Sequence, residues 1–283
     1  MFDILSAVII LAAVSACCFA LGIFSAKKLP GKTAAWLASG VVLLLGLYLV
    51  LLHGRLVLAQ LFPFSGCIVL GNWIPLAAAI LAGIVTADPR LSVQRKTVVA
   101  GVLLLLGVAP LARDILSPPP EVQETWSDDG VCLQNKPGTC GACGAATLLR
   151  AHGIECHKKE MVRLCLTRRS GTPTLGIYRA LKIETRDTPF RVRIGRTDFA
   201  GLRNMKNLPV LMSARLDPNK VDDPRYKSEW GWQPGVRHMV LFYGFADDGK
   251  VEMADPTVGR EQWHERDLRA LWDGEMVYLS REN

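Results

Sequence analysis

The side chains best suited to chemistry in this chain are its eight cysteines and five histidines, and most of them lie beyond residue 130. The densest stretch is CLQNKPGTCGACGAATLLRAHGI, residues 132–154, where Cys140 and Cys143 stand at the start of a helical pattern. Three chemistries fit such a pair. A structural zinc site would use it as one clip, but needs a second clip of similarly tight spacing. Cys156-His157 and Cys165 do not form one. A thioredoxin-like redox pair belongs near a βαβ pattern, and no strand precedes this one. The third chemistry is nucleophilic catalysis, because the free N–H groups and dipole of a helix start favour a thiolate.

A cysteine nucleophile needs a base and a group that orients the base. His152 and His157 flank the far end of the same helix, about 18 Å from its start at 1.5 Å per residue. His264, beside Trp263 and Glu265, reads as a solvated helix-start residue. His238 stands at the mouth of the most apolar strand, in GVRHMVL. Taken alone it reads as an ordinary strand-end histidine. Asp255 changes that reading. It closes the next strand, VEMADP, after the hairpin turn ADDGK. In a tight antiparallel hairpin the start of one strand lies beside the end of the next, so His238 and Asp255 share one end of the sheet.

The elements that must position these residues follow a simple order. Helices are predicted over 141–152, closed by Gly153, and over 159–165 and 174–181. Strands are predicted over 191–194, 209–214, 238–245, 251–254 and 275–279, with a short helix over 267–272 before the last. Helices followed by an antiparallel sheet argue an α+β domain. The loop EWGWQPG, residues 229–235, reads equally as a cleft lining and as a packing loop. Arg168-Arg169 reads as a solvated pair. The sequence holds no G-x-x-x-x-G-K-[ST] nucleotide loop.

The first 117 residues are of another kind. Half of the whole chain is hydrophobic and its mean hydropathy is +0.22. Residues 1–117 contain only eight Lys/Arg and three Asp/Glu. The net charge of +7 comes mostly from this apolar half, so it marks no nucleic-acid face. Spans of about 20 apolar residues cross a bilayer. They are predicted over 4–24, 34–52, 66–86 and 97–112. The third carries Asn72 and Pro75. The fourth is short and ends at Pro110, so alone it reads equally as a re-entrant or core helix. Lys27, Lys28 and Lys32 follow the first span and Arg90, Arg95 and Lys96 the third, while the loop between the second and third has only Arg55. The positive-inside rule puts both basic loops in the cytoplasm. Four crossings then leave the C-terminal domain outside it, and three would reverse this. Val14-Ser15-Ala16-Cys17 resembles a lipoprotein cleavage site, but the leader has no Lys or Arg, which favours an uncleaved helix. The expected division is a membrane region over 1–116, a stiff Pro-rich spacer over 117–130 opening on Ser117-Pro118-Pro119-Pro120, and a domain over 131–283.

That domain resembles the papain-like cysteine peptidases that include the bacteriocin-processing, double-glycine leader peptidases. The resemblance is carried by Gln134, by Cys140-Gly141 opening Ala146-Thr147-Leu148-Leu149-Arg150, by Gly153, by Arg237-His238-Met239-Val240-Leu241 and by Ala254-Asp255-Pro256. It implies a papain-like α+β fold, with Cys140 as nucleophile, His238 as base and Asp255 as orienter. It also implies Gln134 as oxyanion donor with the Cys140 N–H, a peptide or protein substrate, and neither metal nor cofactor. The bilayer is the other partner, with a membrane-protein partner left unnamed. The papain signature C-G-[SA]-C-[WY] would choose Cys143, but Gly144 replaces its aromatic residue. The family's glutamine lies six residues before the nucleophile, which selects Cys140 and leaves Cys143 a structural thiol. The known processing peptidases are fused to an ATP-driven exporter; this sequence implies instead a membrane peptidase of the same fold. Two other outcomes stay open: a domain that binds peptide without cutting, and one that transfers the acyl group to an amine. Outside the cytoplasm, some of Cys132, Cys143, Cys156 and Cys165 are expected in disulfides. Cys17, Cys18 and Cys67 read as ordinary apolar residues.

Overall fold

Runs of apolar residues that cannot hydrogen-bond their backbone to lipid must form helices, and the N-terminal part of the chain does. The computed structural model describes every residue except 30, 218, 220–223, 229–231 and 283. It divides into two units, Met1–Ser117 and Pro118–Asn283. The first contains α1 (Phe2–Lys28), α2 (Gly31–Leu51), the short α3 (Val57–Leu61) and α4 (Cys67–Leu70), α5 (Ile74–Ala87) and α6 (Val93–Leu116). Among the described residues, four stretches are long and apolar enough to cross a membrane: Phe2–Lys28, Gly31–Leu51, Cys67–Ala87 and Val93–Leu116. Leu43 and Leu44 of α2 are each 65% exposed, a surface that suits lipid and not water.

Two details differ from the sequence expectation. The fourth helix does not stop at Pro110 but runs through it to Leu116. At 1.5 Å per residue its length is about 36 Å, enough for the hydrocarbon core. The third span is interrupted at Gly71–Trp73, which is where Asn72 and Pro75 belong. Asn72 Oδ1 accepts from the Ile74 N–H, the Tyr48 hydroxyl donates to the Gly71 carbonyl at 2.6 Å, and Pro75 falls in the first turn of α5. A proline there removes an N–H that would have no helical partner anyway. Within this unit α1 and α5 cross closely through Gly22 and Gly83, where an added Cβ would strike the facing backbone.

The second unit opens with α7 (Cys140–Ala151), α8 (Lys158–Leu164) and α9 (Thr174–Glu184). There follow β1 (Phe190–Arg196), α10 (Phe199–Arg203), β2 (Val210–Arg215), α11 (Arg225–Ser228), β3 (Arg237–Phe245), β4 (Lys250–Asp255), β5 (Gly259–His264), α12 (Glu265–Leu271) and β6 (Trp272–Arg281). The strands form one six-stranded sheet in the order β1-β6-β2-β3-β4-β5, with antiparallel pairing throughout. Alternation along the central strands feeds both faces. Val210, Met212, Val240, Phe242 and Met253 join Trp263, Leu268 and Leu271 in one core. Leu211 and Leu241 point the other way, against α7, where Gly144 leaves room for Leu211. Glu124, Trp126 and Ser127 already bond to this unit, through Lys158, Cys132 and Val131.

Candidate active site

Cys140 is the first residue of α7, and its cap Thr139 offers no side-chain bond to the exposed N–H groups. The first N–H groups of a helix lack intrahelical partners, so the thiol sits in a field that favours negative charge. Close packing holds the helix start in place. A Cβ on Gly141 would lie 2.8 Å from Ile177 of α9 and from Thr172. Gly138, with φ +81°, meets the Gly171 backbone just before the helix, and Thr172 donates to the Gly138 carbonyl at 2.9 Å.

His238 approaches from the start of β3. Its Nε2 lies 2.7 Å from Asp255 Oδ1 at the end of β4, as the hairpin predicts. Leu241 pairs with Ala254, next to Asp255, and the turn closes with the Ala246 N–H donating to the Lys250 carbonyl at 2.9 Å. With Nε2 engaged by Asp255, Nδ1 is the ring nitrogen left to face Cys140, which lines the same cleft. Burial disfavours the charged imidazole, yet the bonds to Asp255 and Cys140 and their charges outweigh it and push His238 up to about 10. Burial likewise works against the Asp255 carboxylate, but His238 and the Thr257 donors hold it below the usual range. Trp232 packs edge-on to the imidazole at 5.2 Å and to Trp263 at 5.7 Å, screening the pair from one side.

Gln134 faces the same cleft. Its backbone N–H donates to the Pro256 carbonyl at 2.6 Å, and its Nε2 donates to Thr257 Oγ1 at 2.9 Å. Nε2 carries two protons and Thr257 accepts one, so a second is available for a ligand oxygen. The cleft, about 420 Å³, is lined by Gln134, Cys140 and His238 together with Gly171, Trp232 and Thr257. All four residues singled out in the sequence are therefore brought together, with Asp255 behind His238 and only 3% exposed.

The other candidates are placed elsewhere. His152 bonds the Leu148 carbonyl through Nδ1 and meets Phe190 edge-on at 5.0 Å. His157 and His264 are the caps of α8 and α12. Cys143 is fully buried; its thiol takes a hydrogen bond from Cys132, which lowers Cys143 and raises Cys132. A lowered thiol with no exposed surface cannot meet a substrate. All eight cysteines are free thiols, and among the described residues no cluster could hold a metal ion. Of the EWGWQPG loop, residues 229–231 lie outside the described residues, while Trp232 and Gln233 both line the cleft and Trp232 also packs, so both readings of this loop apply. Thr257 was not singled out in the sequence. The Asp-Pro-Thr turn after a strand was the available signal for Thr257.

A helix-start thiol facing a strand-borne His–Asp pair, with helices before an antiparallel sheet, defines a papain-like cysteine peptidase. The model of the Peptidase C39 family matches residues 129–283, more than half of the chain, and the protein belongs to that family. Among solved structures it is similar to a double glycine motif protease from an AMS/PCAT transporter in complex with the leader peptide, at 14% identity over 59% of this chain and 100% of that one (TM-score 0.42). It is also similar to the peptidase domain of Streptococcus ComA, a bi-functional ABC transporter involved in a quorum sensing pathway, at 18% identity over 53% and 96% (TM-score 0.41). The Streptococcus mutans ComA peptidase domain gives 19% identity over 52% and 96% (TM-score 0.35). No curated protein matches the chain.

Proposed function

We propose that the protein is a membrane-anchored peptidase in which Cys140 attacks a peptide carbonyl and His238 shuttles the proton. The observation that carries this reading is the 2.7 Å bond between His238 and Asp255 at the wall of the cleft that Cys140 also lines. The thiolate forms a bond to the carbonyl carbon, and the oxygen takes the charge. The second Nε2 proton of Gln134 and the Cys140 backbone N–H donate to that oxygen. Imidazolium then protonates the leaving amine, a thioester remains, and water activated by His238 releases the acid. Asp255 keeps the imidazole oriented and favours its charged form.

The substrate is a peptide or protein. Gly138, Gly141 and Gly171 line the cleft together with Trp232, and in this reading they leave room for the backbone of an extended chain. Helices Phe2–Lys28, Gly31–Leu51, Cys67–Ala87 and Val93–Leu116 cross the bilayer in this reading. The basic loops lie on the cytoplasmic side and the peptidase unit lies outside. A peptide library incubated with the full-length protein in detergent, with products read by mass spectrometry, tests both activity and preference. Cleavage by the wild type but not by Cys140→Ala supports the assignment. Cleavage that survives Cys140→Ala would remove it. Amine adducts in place of free acids would identify the acyl-transferring outcome.

A further inference from the structure

Lys158, the first residue of α8, has no exposed surface. Burying an ammonium group is costly unless the charge is compensated by hydrogen bonds. Here Nζ donates to the Leu133 carbonyl at 2.5 Å and to Asn135 Oδ1 at 3.0 Å. These two residues flank Gln134. The backbone N–H of Lys158 donates in turn to both carboxylate oxygens of Glu124, at 3.1 and 3.0 Å, and Glu124 also accepts from Trp126 Nε1 at 2.7 Å. The lysine is thus anchored at its backbone while its tip spans the glutamine.

We propose that Lys158 is a positioning residue of the oxyanion hole: its ammonium group holds the chain on both sides of Gln134 and so fixes the carboxamide. This rests on Gln134 being an oxyanion donor. The Gln134 segment is held twice. The turn after β4 grips the glutamine itself, through Pro256 and Thr257. Lys158 grips its neighbours. Oxyanion donors work because they are aimed before the charge develops, and a misplacement of about 1 Å costs roughly a hundredfold in rate. A methionine would fill the same space without burying a charge, so packing alone does not account for an ammonium group here.

Two reactions of the same thiol separate this role from general support. Iodoacetamide alkylates Cys140 by displacing iodide, and no oxyanion forms. p-Nitrophenyl acetate acylates it through a tetrahedral oxyanion, releasing p-nitrophenolate and leaving an acetyl thioester. Both are followed on the full-length protein in detergent, with mass spectrometry locating the label on Cys140. Lys158→Met is expected to slow acylation by about ten- to a hundredfold while alkylation stays unchanged. Asn135→Ala removes one acceptor at an exposed position and is expected to give a smaller loss of the same kind; it decides the matter should Lys158→Met fail to fold. Gln134→Ala should slow acylation by about 10²–10³, and in that background Lys158→Met should add nothing. Parallel loss of both reactions, wild-type acylation in Lys158→Met or in Asn135→Ala, or a loss that adds to that of Gln134→Ala overturns the proposal. Normal acylation by Gln134→Ala would instead bring down the oxyanion reading beneath it.

Discussion

His238 Nε2 and Asp255 Oδ1 stand 2.7 Å apart, and the same carboxylate oxygen accepts the Thr257 N–H at 2.6 Å. Two donors on one oxygen hold the carboxylate ionised in a nearly closed site. The consequences for pH run in opposite directions. His238 is raised, so its share of stability is full below about 6.5 and is lost as pH rises through about 10. Asp255 is depressed, so its share is full above about 3.9 and is lost as pH falls through its lowered value. The pair contributes fully only between those limits.

Asp255→Asn should therefore move the alkaline limb of the Cys140 acylation profile down by more than a unit, because the imidazolium loses its partner. The rate at neutral pH should fall by about 10² or more, in line with the loss of a triad carboxylate. A limb that stays in place would detach Asp255 from the base.

Cys140 and Cys143 should behave as unequal thiols. Cys140→Ser should remove turnover of any peptide the wild type cuts. Cys143→Ala should keep the rate within about a factor of three and lower stability by about 1–2 kcal/mol, the usual scale for trimming a buried side chain. Steady-state kinetics and thermal melts on the two variants check this, and the reversed pattern would make Cys143 the nucleophile.

Glu261, on β5, gives a third pH signature. Burial, partly offset by the Trp263 indole, pushes its carboxyl up to about 7. A raised acid costs stability once pH exceeds its unfolded value, near 4.3, and the cost grows until pH passes about 7. Glu261→Gln should thus raise Tm by a few degrees at pH 8 and leave it unchanged at pH 4. Equal melting shifts at both values would mean that the effect is not electrostatic.

The compartment can be read from thiols. Cys132 and Cys143 hydrogen-bond each other, and Thr147 ties their backbones by accepting the Cys132 N–H at 2.9 Å and donating to the Cys143 carbonyl at 3.0 Å. An oxidising compartment with a disulfide-donating oxidant should join this pair, with loss of two protons and two electrons, and leave Cys156 and Cys165 reduced. Mass mapping of protein purified under acid quench checks it. Independently, a cysteine placed at exposed Lys159 should react with a membrane-impermeant maleimide on intact cells if four crossings put the domain outside.

The fold was legible where local pattern and chain geometry agree. His238 and Asp255 could be paired from sequence because a hairpin with an obvious turn fixes which strand ends meet. The strand β5 was missed because GREQWH buries only Gly259 and Trp263 and exposes Arg260 and Gln262 between them, which reads as a polar loop. Helix α6 was predicted too short because Pro110 looked like its end, whereas the helix continues past it to Leu116. Lys158 was illegible. In the run His157-Lys158-Lys159-Glu160 it looks like one more solvated charge, and only the tertiary fold distinguishes it from Lys159.

The turn at Asp255-Pro256-Thr257 has a wider consequence. Asp255 hydrogen-bonds His238, Pro256 accepts the Gln134 N–H, and Thr257 accepts from the Gln134 carboxamide while donating to Asp255. In the proposed mechanism, proton transfer and charge stabilisation would thus be mounted on three consecutive residues and share one mechanical reference. A ligand that tilted the β4–β5 connection would shift both together in that mechanism, turning the whole site up or down as a single dial.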